Sequence, residues 1–145
     1  MARRNTIPIG ALVLGVAGLI PFLGFAALAV SGSDGGLSSL GLAPRTILSA
    51  YGAVIASFLG GIRWGAAAAR NAGNADYLVA IIPSLVAWAA MAAPAPWDLR
   101  ILGVLVLAWG LIDQDLPRRG LAPLWLGRLR LVLSGVAGAA LLVAA

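Results

Sequence analysis

Long apolar stretches alternate along the chain with short polar breaks, and the stretches have the length of membrane spans. The first runs from about Ile7 to Val30 and ends at the flexible, polar Ser31-Gly32-Ser33-Asp34-Gly35-Gly36. It exceeds the ~20 apolar residues that cross a bilayer as a helix. A cleaved signal peptide is the rival reading, since Ala27-Leu28-Ala29 resembles a small-residue cleavage site, but the apolar region of such a peptide is only about 7–15 residues long. Pro44 then precedes a second span at about 46–69. A loop with Arg70, Asn71, Gly73, Asn74 and Asp76 leads to a third at about 77–93. The stiff turn Pro94-Ala95-Pro96-Trp97-Asp98 introduces a fourth at about 99–112, and the polar segment from Asp113 to Gly120 separates it from a fifth at about 124–145. The pattern predicts an all-α, polytopic membrane protein: one five-transmembrane-helix bundle filling residues 1–145.

Composition narrows the chemistry. Only 10% of the 145 residues are charged and 61% are hydrophobic, against about 25% charged in soluble domains. Mean hydropathy is +1.00. The chain has no Cys, His, Lys or Glu, which removes disulfides, thiolate and imidazole metal sites and Cys/His nucleophilic catalysis. All ten bases are Arg, dispersed between apolar spans rather than gathered on an aromatic-studded face, so the net charge of +5 does not point to nucleic acid. With five crossings, eight arginines (3, 4, 63, 70, 118, 119, 128, 130) fall on one side and two (45, 100) on the other. The positive-inside rule then predicts a cytoplasmic N-terminus and a periplasmic C-terminus. Trp64, Trp109 and Trp125 fall near the predicted cytoplasmic helix ends and Trp97 near an outer end, as an aromatic belt requires.

The second span carries small residues every four positions, at Ala53, Ser57, Gly61, Gly65 and Ala69, beside a second small stripe at Gly52, Ala56 and Gly60. In lipid, helices associate where small residues let backbones approach. The first stripe is therefore the expected helix-packing face, with this helix central and the Leu-rich fourth helix facing lipid. Arg63 lies about 25 Å along the span at about 1.5 Å per residue, near the boundary. It serves either as an interfacial anchor or, pointing inward, as a partner for Asp113, Asp115 or an anionic lipid headgroup. Arg63, Trp64, Arg128 and Arg130 form the candidate headgroup- or partner-binding set, because basic pockets between helices suit phosphate contacts. Arg128 and Arg130, two residues apart, cannot point the same way.

Catalytic constellations are missing from the sequence. Asp113 and Asp115 offer too few oxygens for a metal cage, and neither a paired carboxylate at depth nor a base for a serine is present. No cofactor or metal is expected, and the chain is read as a non-enzyme. Every acid is in or next to a loop, which also argues against a proton relay. Pro83 predicts a kink or local unwinding near Ile82-Pro83-Ser84, freeing the carbonyl of Val79.

The run from Tyr51 to Gly65, then Pro83-Ser84-Leu85-Val86-Ala87-Trp88, then Trp125 with Arg128-Leu129-Arg130, resembles the transmembrane protein 69 family, a family of unknown function found in proteobacteria and mitochondria. The position after Trp125, aromatic in that resemblance, is Leu126 here. The resemblance implies a location rather than a mechanism: a bacterial inner membrane. The expected role is an accessory or assembly component of a larger membrane complex, respiratory complexes being the partner class to test, with anionic lipids and other membrane subunits as partners. The alternative is a small transporter or a lipid- or quinone-binding protein built on Pro83 and Arg63.

Overall fold

A computed structural model describes residues 6–145, and all regular structure among them is helical. The helices are α1 (Ile9–Ala17), α2 (Leu19–Ser31), α3 (Pro44–Ala69), α4 (Asn74–Met91), α5 (Trp97–Ile112), α6 (Asp115–Arg118) and α7 (Leu124–Val143), with a 3₁₀ turn at Leu37–Leu40. Arg3 and Arg4, which weigh in the orientation argument, lie outside the described residues. Four helical stretches are long and apolar enough to cross a membrane: Ile9–Ser31, Pro44–Ala69, Asn74–Met91 and Leu124–Val143. The fourth predicted span, α5, has 16 residues, or about 24 Å of helix.

Within the first span the helical hydrogen bonding is interrupted for one residue at Gly18, which keeps helical φ and ψ of −62° and −16°, an interruption the sequence reading did not anticipate. Pro21 has no N–H for the carbonyl of Ala17, and its ring crowds that carbonyl. The loosened backbone is stapled to α3, where the Tyr51 hydroxyl donates to the Gly18 carbonyl at 2.9 Å. Phe22 meets Tyr51 edge-to-face with ring centroids 4.9 Å apart. At Pro83, by contrast, α4 continues as one helix, so of the expected kink or unwinding the local unwinding does not occur. The Pro83 ring is buried and faces Gly60 of α3, where an added Cβ would lie 3.4 Å from it.

Polar pairs at both ends show how the helices run. Arg45 at the start of α3 meets Asp98 at the start of α5 and the carbonyl of Ala144 just beyond α7. Arg63 near the end of α3 meets Asp113 at the end of α5, which also meets Arg130 early in α7. Helices α3 and α5 are therefore parallel, and α7 is antiparallel to both.

Helix α3, which packs against α2, α4, α5 and α7, holds the central place expected of it, whereas α5 is packed inside and is not the lipid-facing helix its leucines predicted. Leu99, Leu102, Leu105, Val106 and Trp109 are all buried. Glycines explain how so bulky a helix gets inside. A Cβ on Gly103 would sit 2.7 Å from Leu142 and 3.1 Å from the Gly138 carbonyl, and one on Gly110 would sit 2.6 Å from Ser134. Helix α7 answers with Gly138, where a Cβ would meet Leu107 at 2.5 Å. Each helix's glycines thus receive the other's side chains, the close approach that membrane packing relies on. Trp109 is buried with α5, so it belongs to the core rather than to an aromatic belt; Trp97 is exposed.

The packing face of α3 is also the other stripe. Gly52, Ala56, Gly60, Arg63 and Ala67 are buried, and a Cβ on Gly60 would come within 2.3 Å of the Ala80 carbonyl of α4. Ala53 and Ser57 are half-buried, while Gly61, Gly65 and Ala69 are exposed. A Cβ added at Gly61 or Gly65 meets nothing within 4 Å. Two stripes one residue apart are separated by about 100° of helix, and the spacing alone could not say which one met the neighbours.

Candidate functional site

At one end of the bundle three arginines and three aspartates from five helices converge. Arg63 is buried, although it lies in the last two turns of an apolar helix. Its Nη1 and Nη2 donate to the two oxygens of Asp115 at 2.9 and 2.8 Å. The same Nη1 donates to Asp113 at 3.3 Å, and Nη2 lies 3.7 Å from Asp76. Asp113 is 2% exposed and takes a second guanidinium on its other oxygen, from Arg130. Arg119 closes the outer side with a two-pronged bond to Asp76 at 2.5 and 2.8 Å, and it lies 3.5 Å from Asp115.

Local sequence explains the convergence. Asp76 lies in the first turn of α4, where a carboxylate is favoured by the helix dipole. Asp113 follows the last residue of α5, and Asp115 opens the short α6, so the chain turns back and both side chains project toward α3. Gln114 between them ties the turn to α7, its amide nitrogen donating to the carbonyls of Gly110 at 2.8 Å and Gly127 at 2.9 Å. A Cβ on Gly127 would meet Pro117 at 3.0 Å and Gln114 at 3.1 Å, a tight fit that glycine relieves. On α7, Arg130 is buried and Arg128 exposed, as their two-residue spacing requires.

The cluster is electrically balanced, three guanidinium groups facing three carboxylates. Hydrogen bonding to Arg63 is the main cause that holds the Asp115 carboxyl below its ordinary pKa, against the opposing effect of burial. The bidentate Arg–carboxylate fork is the strongest form of such a bond. With their oxygens engaged by guanidinium N–H groups, these carboxylates act as a latch across α3, α4, α5, α6 and α7. Among the described residues, three buried donors of the cluster have no partner: Nε of Arg63, and Nε and Nη1 of Arg130.

The predicted site residues therefore separate. Arg63, Asp113, Asp115 and Arg130 come together. Trp64 stands beside them, half exposed, with its ring edge-on to Tyr77 at 4.9 Å, and Arg128 stands apart from the ion pairs. Sequence reasoning missed Asp76 and Arg119 as members. The available signal was arithmetic: the side that holds Arg63 and Arg130 also holds three of the five aspartates, and buried charges in a membrane pair with one another.

A family model described as Protein of unknown function (DUF3429) matches residues 7–145. The chain belongs to that family. It is 35% identical over 135 residues to a protein named Transmembrane protein 69 from Xenopus tropicalis; the match covers 90% of this chain and 51% of that protein. The chain thus spans about half the length of this curated relative. No solved structure matches. The family carries no assigned activity, and the long match includes every residue of the arginine–aspartate cluster.

Proposed function

We propose that this membrane protein is a non-enzymatic accessory or assembly component of a larger membrane complex, seated in a bacterial inner membrane with five crossings, N-terminus inside. The observation that carries this reading is the outward face of α3. Gly61 and Gly65 form a Gly-x-x-x-Gly pair that no contact among the described residues requires. Such a pair in an apolar helix is the surface on which a second transmembrane helix packs closely. The balanced latch supports the same reading, since it rigidifies the end of α3 and leaves its carboxylates occupied by arginine. The eight-to-two distribution of arginine supports the orientation. The resemblance to a bacterial and mitochondrial family makes respiratory complexes the first partner class to test. Pro83 and Arg63, on which a transporter reading would rest, are both engaged in packing or ion pairs.

The test is extraction of native membranes in a lipid-preserving polymer, pull-down through a tag, and mass spectrometry of what is retained. The wild type is expected to bring down stoichiometric membrane subunits. Gly61→Leu/Gly65→Leu is expected to lose them while keeping its own fold. Recovery of the wild-type chain always alone would contradict the proposal.

A further inference from the structure

The cluster takes up every aspartate at its end of the bundle but not every arginine. Asp76, Asp113 and Asp115 are held by Arg63, Arg119 and Arg130. The two remaining acids of the chain are at the opposite end, Asp34 before α3 and Asp98 at the start of α5, where it is paired with Arg45. Arg70, Arg118 and Arg128, all at the cluster end and all exposed, therefore have no aspartate left to meet.

Arg128 is set apart by its surroundings. It lies one turn into α7, and its neighbours on the same helix face are Leu124 four residues before it, Leu131 three after and Val132 four after, all exposed. An exposed apolar face on a membrane-spanning helix is a face toward lipid. A guanidinium on such a face stands at the edge of the acyl chains and reaches the headgroup layer on its own methylene stem. The half-buried Trp125, one turn earlier, suits the same level. Arg130, two residues on, points the other way and is neutralised by Asp113; Arg128 has no such partner. The start of α7 also lies close to α6, since a Cβ on Gly127 would be 3.0 Å from the Pro117 ring. The next residue on each helix is an exposed arginine, so Arg118 and Arg128 flank one crossing.

We propose that Arg128 and Arg118 bind the phosphate of an anionic phospholipid, one of whose acyl chains lies along Leu131 and Val132 of α7. Guanidinium suits a phosphate diester because its N–H groups form a planar fork that matches two oxygens. A lipid of net negative charge is preferred to a zwitterionic one, because it brings countercharge to these unmatched arginines without a second cation. Sequence reasoning placed Arg63 and Arg130 in the headgroup-binding set; the aspartates withdraw both, and Arg118 joins Arg128 instead. The site is on a different helix from the outward face of α3 and does not depend on the accessory role.

The experiment is native mass spectrometry of the full chain released from a non-ionic detergent. Dioleoylphosphatidylglycerol is the anionic probe, dioleoylphosphatidylcholine the zwitterionic one, and inorganic phosphate the soluble competitor. Arg128→Gln and Arg118→Gln remove the proposed contacts, while Arg70→Gln removes the same charge from the same end, just beyond α3, and serves as the control. Phosphatidylglycerol is expected to bind in preference to phosphatidylcholine. Its binding is expected to be about fivefold weaker in Arg128→Gln, equivalent to the ~1 kcal/mol that one arginine contributes at an anionic membrane surface, and weaker still in the double variant. Arg70→Gln and inorganic phosphate are expected to change it by less than about twofold. Equal binding of the two lipids, displacement by inorganic phosphate, or binding that Arg128→Gln leaves unchanged would overturn the proposal. So would a loss in Arg70→Gln as large as in Arg128→Gln, which would mean attraction by net charge rather than a site.

Discussion

Helix α3 has two faces made of nearly the same residues, and they do opposite things. The inner face, Gly52, Ala56, Gly60, Arg63 and Ala67, is buried against the rest of the bundle. Along the outer face, Ala53, Ser57, Gly61, Gly65 and Ala69, exposure increases toward the end of the helix. The difference teaches that a stripe of small residues marks a surface fit for close packing without saying whose helix packs there. On the inner face the close approach is consumed within the chain and fixed by an ion latch. On the outer face it is left open, and there the proposed partner fits.

The inner face is most sensitive at the latch. Asp113→Ala removes a buried acceptor shared by Arg63 and Arg130 and leaves Arg130 with no other ion-pair partner among the described residues. Breaking a buried pair in this way costs about 3–5 kcal/mol, to be read as a loss of unfolding free energy in a denaturing-detergent titration. Next comes Gly60→Ala, where the new methyl would sit 2.3 Å from a backbone carbonyl that cannot swing aside. Overpacking at such a site costs about 3 kcal/mol, measured in the same titration. Gly61→Ala, one residue on, is expected to have the opposite sign. It meets open space, so it stabilises the helix by roughly 0.5–1 kcal/mol through the lost entropy of glycine.

The smallest effect concerns pH. The carboxyl of Asp115 is held below its ordinary value of 3.8, chiefly by hydrogen bonding to Arg63. A depressed folded-state pKa means that this contribution is fully present above the unfolded value and is lost as pH falls through the lowered one. Stability is thus expected to show no dependence on Asp115 between neutral pH and about pH 5. Its contribution fades only in more acid solution, and Asp115→Asn abolishes that part of the acid dependence.

Much of the architecture was legible because a bilayer imposes a length and a polarity that a chain must display. The boundaries of α3, α5 and α7 lie within a few residues of the apolar runs. The interior order was not legible, for a physical reason. In water, leucine marks the core, but in lipid it is equally at home outside, so the leucines of α5 carried no information about burial. Gly103, Gly110 and Gly138 did carry it, as residues at which α5 and α7 come too close for a side chain, yet their spacing gives no sign of this until both helices are placed. The one-residue interruption at Gly18 follows from the missing N–H of Pro21, the same rule that predicts a kink or unwinding at Pro83. The two prolines differ in their surroundings: Pro83 is buried and faces Gly60, whereas the first span buries only Phe22 and Ala26. At the site, Arg63 with Asp113 and Asp115 could be read from side-of-membrane arithmetic, whereas the two-pronged bond from Arg119 to Asp76 required the turn that α6 creates.

In the proposed arrangement the inner face of α3 holds the bundle together and the outer face receives a second chain. The most direct test places a photo-crosslinking aromatic residue in native membranes at Trp64, exposed one turn beyond Gly61, and at Leu85, exposed on α4. Crosslinks from position 64 to a distinct polypeptide, with lipid adducts alone from position 85, are the predicted result. Lipid adducts alone from both positions would contradict the account.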